Sequence, residues 1–477
     1  MRQALHIFKK DARHLWIEIA VTLLVVAAFT FTCARRAFWL ADPAVNRSVA
    51  SMLLSFLLPL AWWILIARLV HAEALPGDRQ FWTTRPYAGK SLLAAKTLFL
   101  AVFVNLPLLA AHIVILLAYG FNPLAELPGL LWSQVLITAV LVLPIAALSA
   151  LTTGFVQLLI TGSVLCLALV AWNIGMPSAG LDAGWRALEW IRSYYEIAVL
   201  ALAALAILVW QYARRRTAAA RWLAVAAVVL MALDVLIPWT AAFALQSRLS
   251  KQPIDPASLR IDFDSAKQWA ARALIEKGDR VWIEIPITIA GIPAGMSPRY
   301  DGAIMAIEAS DGSTWPADQQ PWSHVTSRNR LLSLQATVDS GFYRKVKDQQ
   351  VTFRGAMCLT LYGHERVANV PFQATPVAVP GGGLCAATPG AGKMNYYLVC
   401  NYAFLDPQGP PTYSPFPAGL ALDPVNSHVV YRASLYYPFA PFTAATVETS
   451  EPLTHLRRDF EISGLRLSDF EVRQKVP

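Results

Sequence analysis

The sequence predicts an α-helical polytopic membrane domain of about seven transmembrane helices, followed by a mainly-β, sandwich-like soluble domain. Three observations carry this. Of the 477 residues, 56% are hydrophobic and only 15% charged, against roughly 25% charged in soluble chains. Seven apolar stretches come near the ~20 residues a bilayer-spanning helix needs, and all lie before residue 246. Beyond that point short alternating runs separated by turn residues replace them.

The seven stretches are residues 15–34, 51–70, 97–119, 130–151, 155–172, 195–212 and 222–245. The fourth and fifth form one uncharged run interrupted only by Thr152, Thr153 and Gly154. A single helix of that length would overshoot the bilayer about twofold, so the break predicts a tight hairpin. Pro59, Pro107, Pro144 and Pro238 fall inside spans, where neighbouring groups can satisfy the freed carbonyls. Residues 1–14 place charges at Arg2, Lys9, Lys10, Asp11 and Arg13 around Leu5, Ile7 and Phe8. This pattern suits an amphipathic helix on the membrane surface, not a cleaved signal peptide, whose apolar core would be shorter.

The formal net charge of +9 resolves by place. Residues 1–245 hold 18 of the 40 Lys and Arg but only 10 of the 31 Asp and Glu. The excess therefore sits in the apolar half, which excludes nucleic-acid binding through a broad basic face. With the N-terminus in the cytoplasm, 13 Lys and Arg fall in cytoplasmic segments against 5 on the other side, the asymmetry of the positive-inside rule. Seven spans then put residues 246–477 outside the cytoplasm of a plasma or inner membrane.

In that second half, residues 265–277 read as a short amphipathic helix, and strand-like alternation marks 281–289, 351–362, 396–402, 428–437 and 459–472. Turn-rich connections between short strands suggest a sandwich. An oxidising compartment permits disulfides. Cys385 and Cys400 flank a Gly/Pro-rich stretch of 14 residues, whose closure would contribute roughly 3 kcal/mol. Cys358 lies in an alternating strand and reads as buried; Cys33 and Cys166 read as small apolar fillers of spans.

Catalytic look-alikes fail on spacing. A phosphate-binding loop needs Gly five residues before its Gly-Lys pair, but Gly89-Lys90 has Thr84 there and Gly392-Lys393 has Ala387. His364-Glu365 opens like a zinc-protease helix, yet Ala368 stands where the second His belongs. No catalytic site, metal site or cofactor is expected. An enzymatic role is not predicted, and any ATP hydrolysis is assigned to a separate subunit.

The informative segment is 71–96, between the second and third spans. Gly77 and Pro86 interrupt helix geometry. Between them Phe81 and Trp82 stand beside Arg79 and Arg85, aromatic anchors with arginines of the kind a docking helix offers a partner. The same chemistry suits an interfacial loop with Trp82 at the headgroups, and the residues alone leave both readings open. The segment resembles the coupling region of type-2 ATP-binding-cassette (ABC) transporter permeases. That family has an acidic residue after its second span, a Gly-(Thr/Asp) pair, a short helix, an (Arg/Ser)-Pro turn, and a Lys entering the third span. Glu73, Gly77, Asp78, Arg85, Pro86 and Lys96 match, with Lys90 on the same path into the third span. The N-terminal amphipathic helix, the turn at 152–154 and the charged, Trp-containing stretch 182–192 stand where the family has counterparts. The resemblance covers residues 1–216, a six-span permease with its coupling segment at 71–96. A seventh span at 217–245 and the domain at 246–477 depart from the family pattern.

The resemblance implies the membrane subunit of an ABC exporter. It would pair with a second permease subunit, identical or not, in the lipid bilayer and dock a separate ABC ATPase subunit through residues 71–96 and the N-terminal helix. No nucleic-acid partner is expected. Two other classes stay open: a membrane-anchored receptor acting through its β-domain, and an envelope-assembly factor. Polar groups inside spans are candidates for a substrate path or for helix-to-helix hydrogen bonds: Asn105, His112, Gln134 and Gln157. Asp234, near the middle of the seventh span, needs a partner or a proton. Glu18 lies close enough to the interface to snorkel or to contact the N-terminal helix.

Overall fold

The computed structural model describes residues 2–38, 49–73, 88–178, 189–214, 216–233, 239–248, 250–275, 280–317, 332–371, 375–379, 383–389, 395–404, 422, 425–434 and 444–470. The chain divides into two compact units. One comprises Met1–Ala171, Arg192–Asp234 and Val367–Thr449; the other comprises Trp172–Ile191, Val235–Arg366 and Ser450–Pro477.

The helices run α1 (Arg2–His14), α2 (Trp16–Phe38), α3 (Val49–His71), α4 (Gly89–Leu100), α5 (Leu106–Ala118), α6 (Leu127–Ile137), α7 (Leu143–Leu151), α8 (Phe155–Ser178), α9 (Glu189–Arg214), α10 (Thr217–Ala232), α11 (Trp239–Arg248) and α12 (Ser340–Val346). Among the described residues, five stretches are long and apolar enough to cross a bilayer: Trp16–Arg35, Leu53–His71, Gly89–Ala118, Leu127–Leu151 and Ser193–Arg214. They mark a membrane-embedded helical region. Within α2 the hydroxyls of Thr22, Thr30 and Thr32 donate to the carbonyls of Glu18, Val26 and Ala28 at 2.7–2.8 Å, so these polar groups are satisfied inside their own helix, as an apolar surrounding demands.

Two of these stretches change helix type at a proline. α4 joins α5 through the π-helical turn Ala101–Asn105, and α6 joins α7 through Thr138–Val142. Each turn lies just before a Leu-Pro pair, Leu106-Pro107 and Leu143-Pro144. Proline lacks an N–H and collides with the carbonyl four residues back, and a widened turn removes that collision. The hairpin predicted at 152–154 is a bend between α7 and α8.

Of the seventh helix expected over 222–245, two parts are described. α10 ends at Ala232 and α11 begins at Trp239; Asp234 and Pro238 lie outside the described residues.

The strands are β1 (Arg260–Phe263), β2 (Arg272–Ile275), β3 (Arg280–Ala290), β4 (Met296–Ala309), β5 (Thr314–Ala317), β6 (Leu332–Asp339), β7 (Val351–Pro371), β8 (Val377–Val379), β9 (Gly383–Pro389), β10 (Asn395–Ala403), β11 (Val425–Ser434) and β12 (Ala444–Leu465). They form three antiparallel sheets. In the first, β3 pairs with β1, β2 and β6; the second has the order β12-β7-β4-β5 and the third β11-β10-β9-β8. Alternate residues of β3 (Val281, Ile283, Ile285, Ile287) and β6 (Leu334, Ala336, Val338) share one core with Met305 and Ile307 of β4, Phe353 and Leu359 of β7, and Phe460 of β12. The period of two turns every second side chain inward, so the first two sheets form a two-layer arrangement.

Two local expectations are corrected here. Residues 265–277 are not a helix: Ser265–Ala270 is a 3₁₀ turn, and Arg272–Ile275 pairs with Val281–Glu284 as a strand. Long-range pairing overrides a weak helical pattern. The strand expected at 459–472 stops at Leu465, because Gly464 turns the backbone to φ +80°, and Leu467–Phe470 is a 3₁₀ turn.

The 246–477 region expected as one domain is divided between the two compact units. Val367–Thr449 belongs with the helices. Val425 is buried in the helical core, with Leu384, Ala403, Phe404 and Leu422 against it. Other side chains of the third sheet, Val379, Cys385, Leu398 and Cys400, form a small core of their own with Val370. Within that sheet Cys385 and Cys400 face each other in register on β9 and β10 and are joined by a disulfide. Cys33 and Cys358 are buried.

Candidate functional site

The described part of segment 71–96 ends on a cluster of four charged side chains. The apolar row of α1 runs from Ile7 to Leu15, just past its end, and Asp11 falls on the same row, four residues from each. Residues four apart share a helix face, so packing that row also buries a carboxylate. Ile7, Asp11 and Leu15 are all nearly inaccessible. The neighbouring Phe8 stacks on Phe103 and meets Phe99 edge-on, with ring centroids 5.8 and 6.3 Å apart. Of the apolar residues expected on this helix, Ile7 and Phe8 pack on protein while Leu5 is exposed. Arg2, His6, Lys9 and Arg13 are left exposed.

Around Asp11 three further charges converge. Lys96 Nζ of α4 donates to Asp11 Oδ2 at 2.8 Å and to the Leu69 carbonyl of α3 at 3.0 Å, and stands 3.2 Å from Glu73 Oε2. Lys10 Nζ donates to Glu73 Oε1 at 2.8 Å. The side chains of Asp11, Glu73 and Lys96 are 3%, 6% and 4% exposed, that of Lys10 38%. Two cations and two anions balance, as burial requires. Burial alone would raise the Glu73 carboxyl, but the ammonium groups of Lys96 and Lys10 outweigh it and hold it below the ordinary carboxylate range.

Glu73 closes the described chain before residues 74–87, and Lys96 lies two turns into the helix that follows them. Both ends of that connection are therefore tied to α1. Neighbouring contacts knit the same end of the bundle. Glu18 pairs with Arg68 at 3.1 Å, and His71 Nε2 is 3.1 Å from the Thr152 hydroxyl at the hairpin. Gln211 Nε2 donates to the Ala150 carbonyl at 3.2 Å. Gly89 lets the Tyr212 carbonyl of α9 approach so closely that a Cβ would lie 2.4 Å from its oxygen.

Of the predicted docking residues, Glu73 and Lys96 meet within the protein, while Lys90 is exposed one turn before Leu93. Gly77, Asp78, Arg79, Phe81, Trp82, Arg85 and Pro86 lie outside the described residues. Lys10 and Asp11 were not anticipated as members of the site; the signal was the carboxylate on the 7-11-15 row.

The intramembrane candidates separate. Asn105 Nδ2 donates to the Thr138 hydroxyl at 2.7 Å and reaches Gln134 Oε1 at 3.4 Å, so these groups bridge the two π-helical stretches. His112 is fully buried and donates from Nε2 to the Leu422 carbonyl at 2.8 Å. Gln157 is not with them: its side-chain oxygen accepts from the amide and hydroxyl of Thr153, both at 2.8 Å, and so caps the hairpin exit.

No protein-family model matches the chain, and neither does any curated protein or solved structure. The geometry above stands by itself. It holds α1, α4 and the Leu69 end of α3 together through groups that cannot separate without stranding a buried charge.

Proposed function

We propose that this chain is the permease subunit of an ATP-driven ABC exporter of the type-2 class, acting with a second permease subunit and a separate ATPase. The observation that carries this reading is the charge cluster of Lys10, Asp11, Glu73 and Lys96. It ties the N-terminal helix to both ends of the segment that resembles the family's coupling region. A coupling element has to pass a partner's movement to the spans, and a partner shifts the equilibrium only through contacts that differ between states. In this reading Phe81, Trp82, Arg79 and Arg85 touch the ATPase, while Glu73 and Lys96 pass the load inward.

The topology proposed with it has seven spans. α8, with 24 residues, would measure ~36 Å and would be the fifth span. α10 and α11 together would make the seventh. The Lys and Arg asymmetry then sets the α1 end in the cytoplasm and the β-rich residues on the far side.

The test is co-purification of the full-length chain from its native membranes, followed by ATP turnover of the complex. A P-loop ATPase is expected to accompany the chain. Arg85→Ala is expected to lower turnover about tenfold, the factor that ~1.4 kcal/mol of coupling energy carries, with membrane insertion unchanged. Full turnover in that variant, or the absence of any ATPase from a well-expressed chain, refutes the reading.

A further inference from the structure

The third sheet meets the helices at a place the coupling segment does not explain. β10 is followed by Phe404, whose φ of +38° is the left-handed conformation that bulky residues avoid. Its ring fills the space over Gly129 of α6, where a Cβ would lie 2.5 Å from the Phe404 ring. On α5, His112 stands edge-on to the same ring, with centroids 6.4 Å apart, and holds the Leu422 carbonyl. Leu384 of β9 comes within van der Waals reach of Gly120, beyond the end of α5. Phe404, between Gly129 and His112, thus reaches both α6 and α5, and Leu422, on the way to β11, is held to α5 through its carbonyl.

Beneath this contact lies the polar patch. Along α5, Asn105 is seven residues from His112; along α6, Gln134 is five residues from Gly129. At 1.5 Å per residue these are drops of about 10 and 8 Å. Asn105, Gln134 and Thr138 bond across the helix pair. Among the described residues, Gln134 Nε2 and His112 Nδ1 are buried without a hydrogen-bond partner. Buried polar atoms left unsatisfied are costly, so each calls for a reason. The π-helical turns beside Asn105 and Thr138 mark where each stretch can change its hydrogen-bond register.

We propose that Phe404 and Leu422 are a latch. Held by Gly129 and His112, they close the α5–α6 gap over the Asn105–Gln134–Thr138 patch, and they lift when that patch opens to water. The strained Phe404 backbone favours release once its ring loses the cleft. The role of the latch in transport rests on the permease reading; its closure does not.

The test uses the full-length chain in lipid nanodiscs, where both faces are accessible. Gln134→Cys is introduced with Cys33, Cys166 and Cys358 replaced by Ala and the native disulfide kept. A water-soluble maleimide reports access to position 134. Slow labelling is expected with the latch intact, and labelling about tenfold faster in Phe404→Ala. Gly129→Ala, which adds only a methyl group under the ring, is expected to speed labelling as well and covers the case in which Phe404→Ala misfolds. Equal rates in the parent and in the folded variants, or rapid labelling of the parent itself, overturn the latch. Labelling needs neither ATP nor a partner, so a failed latch and a failed permease reading give different results: the first leaves ATPase co-purification intact, the second leaves the labelling difference intact.

Discussion

Replacing Lys96 by Met isolates what the charge cluster contributes. Met keeps most of the apolar stem and removes the ammonium group. Three contacts vanish at once: Asp11 at 2.8 Å, Glu73 at 3.2 Å and the Leu69 carbonyl at 3.0 Å. Two buried carboxylates then share Lys10, which is 38% exposed and stands 3.6 Å from Asp11. Removing one partner of a buried pair costs about 3–5 kcal/mol, because the surviving charge has lost both water and counter-ion. The loss for Lys96→Met is therefore expected in that range. Adding Asp11→Leu is expected to restore most of it: one carboxylate then faces one ammonium, Glu73 with Lys10, and an apolar group fills the row beside Ile7 and Leu15. Reversible unfolding of the purified full-length chain in mixed micelles, titrated with SDS, measures both. A Lys96→Met loss under about 1 kcal/mol, the range of exposed pairs, would refute the reasoning. So would a double variant no more stable than the single one.

Acid should act through Glu73. Its folded-state pKa lies below the ordinary value of 4.5, so its contribution is fully present above that value and is lost as pH falls through the depressed one. Glu73→Gln should flatten this part of the stability curve below about pH 4.5, and an unchanged acid limb would contradict it. Gly89→Ala places a methyl group against the Tyr212 carbonyl; a loss of about 1–3 kcal/mol is expected from overpacking, read by the same SDS titration. Cys385→Ser with Cys400→Ser should cost about 2–5 kcal/mol and raise amide exchange in β9 and β10 before the helices are affected; uniform exchange across the chain would argue against a local role.

Much of the helical region is legible because a bilayer imposes its rule locally. Residues 16–35 need no partner to declare themselves: about twenty apolar residues in a row have few other uses. The hairpin at Thr152–Gly154 is legible for the same reason. Glu73 and Lys96 are visible as polar residues beside a Gly/Pro-interrupted connection, but nothing in that segment says that they point inward. Their partners, Lys10 and Asp11, lie more than sixty residues away in the chain, and pairing at that distance is chosen by packing. The strands show the converse. β3 alternates cleanly from Val281 to Ile287, while β4 is hidden by Pro298, Gly302 and the register shift between Tyr300 and Gly302.

Chain composition is sufficient for the membrane class, the place of the helical half and the existence of a β-rich half, because hydrophobic length and alternation are properties of contiguous residues. Packing alone assigns Val367–Thr449 to the helices, brings Asp11 to Lys96 and wedges Phe404 over Gly129. These depend on which distant surfaces fit together, and free energy of burial is shared between surfaces that no single stretch of sequence contains.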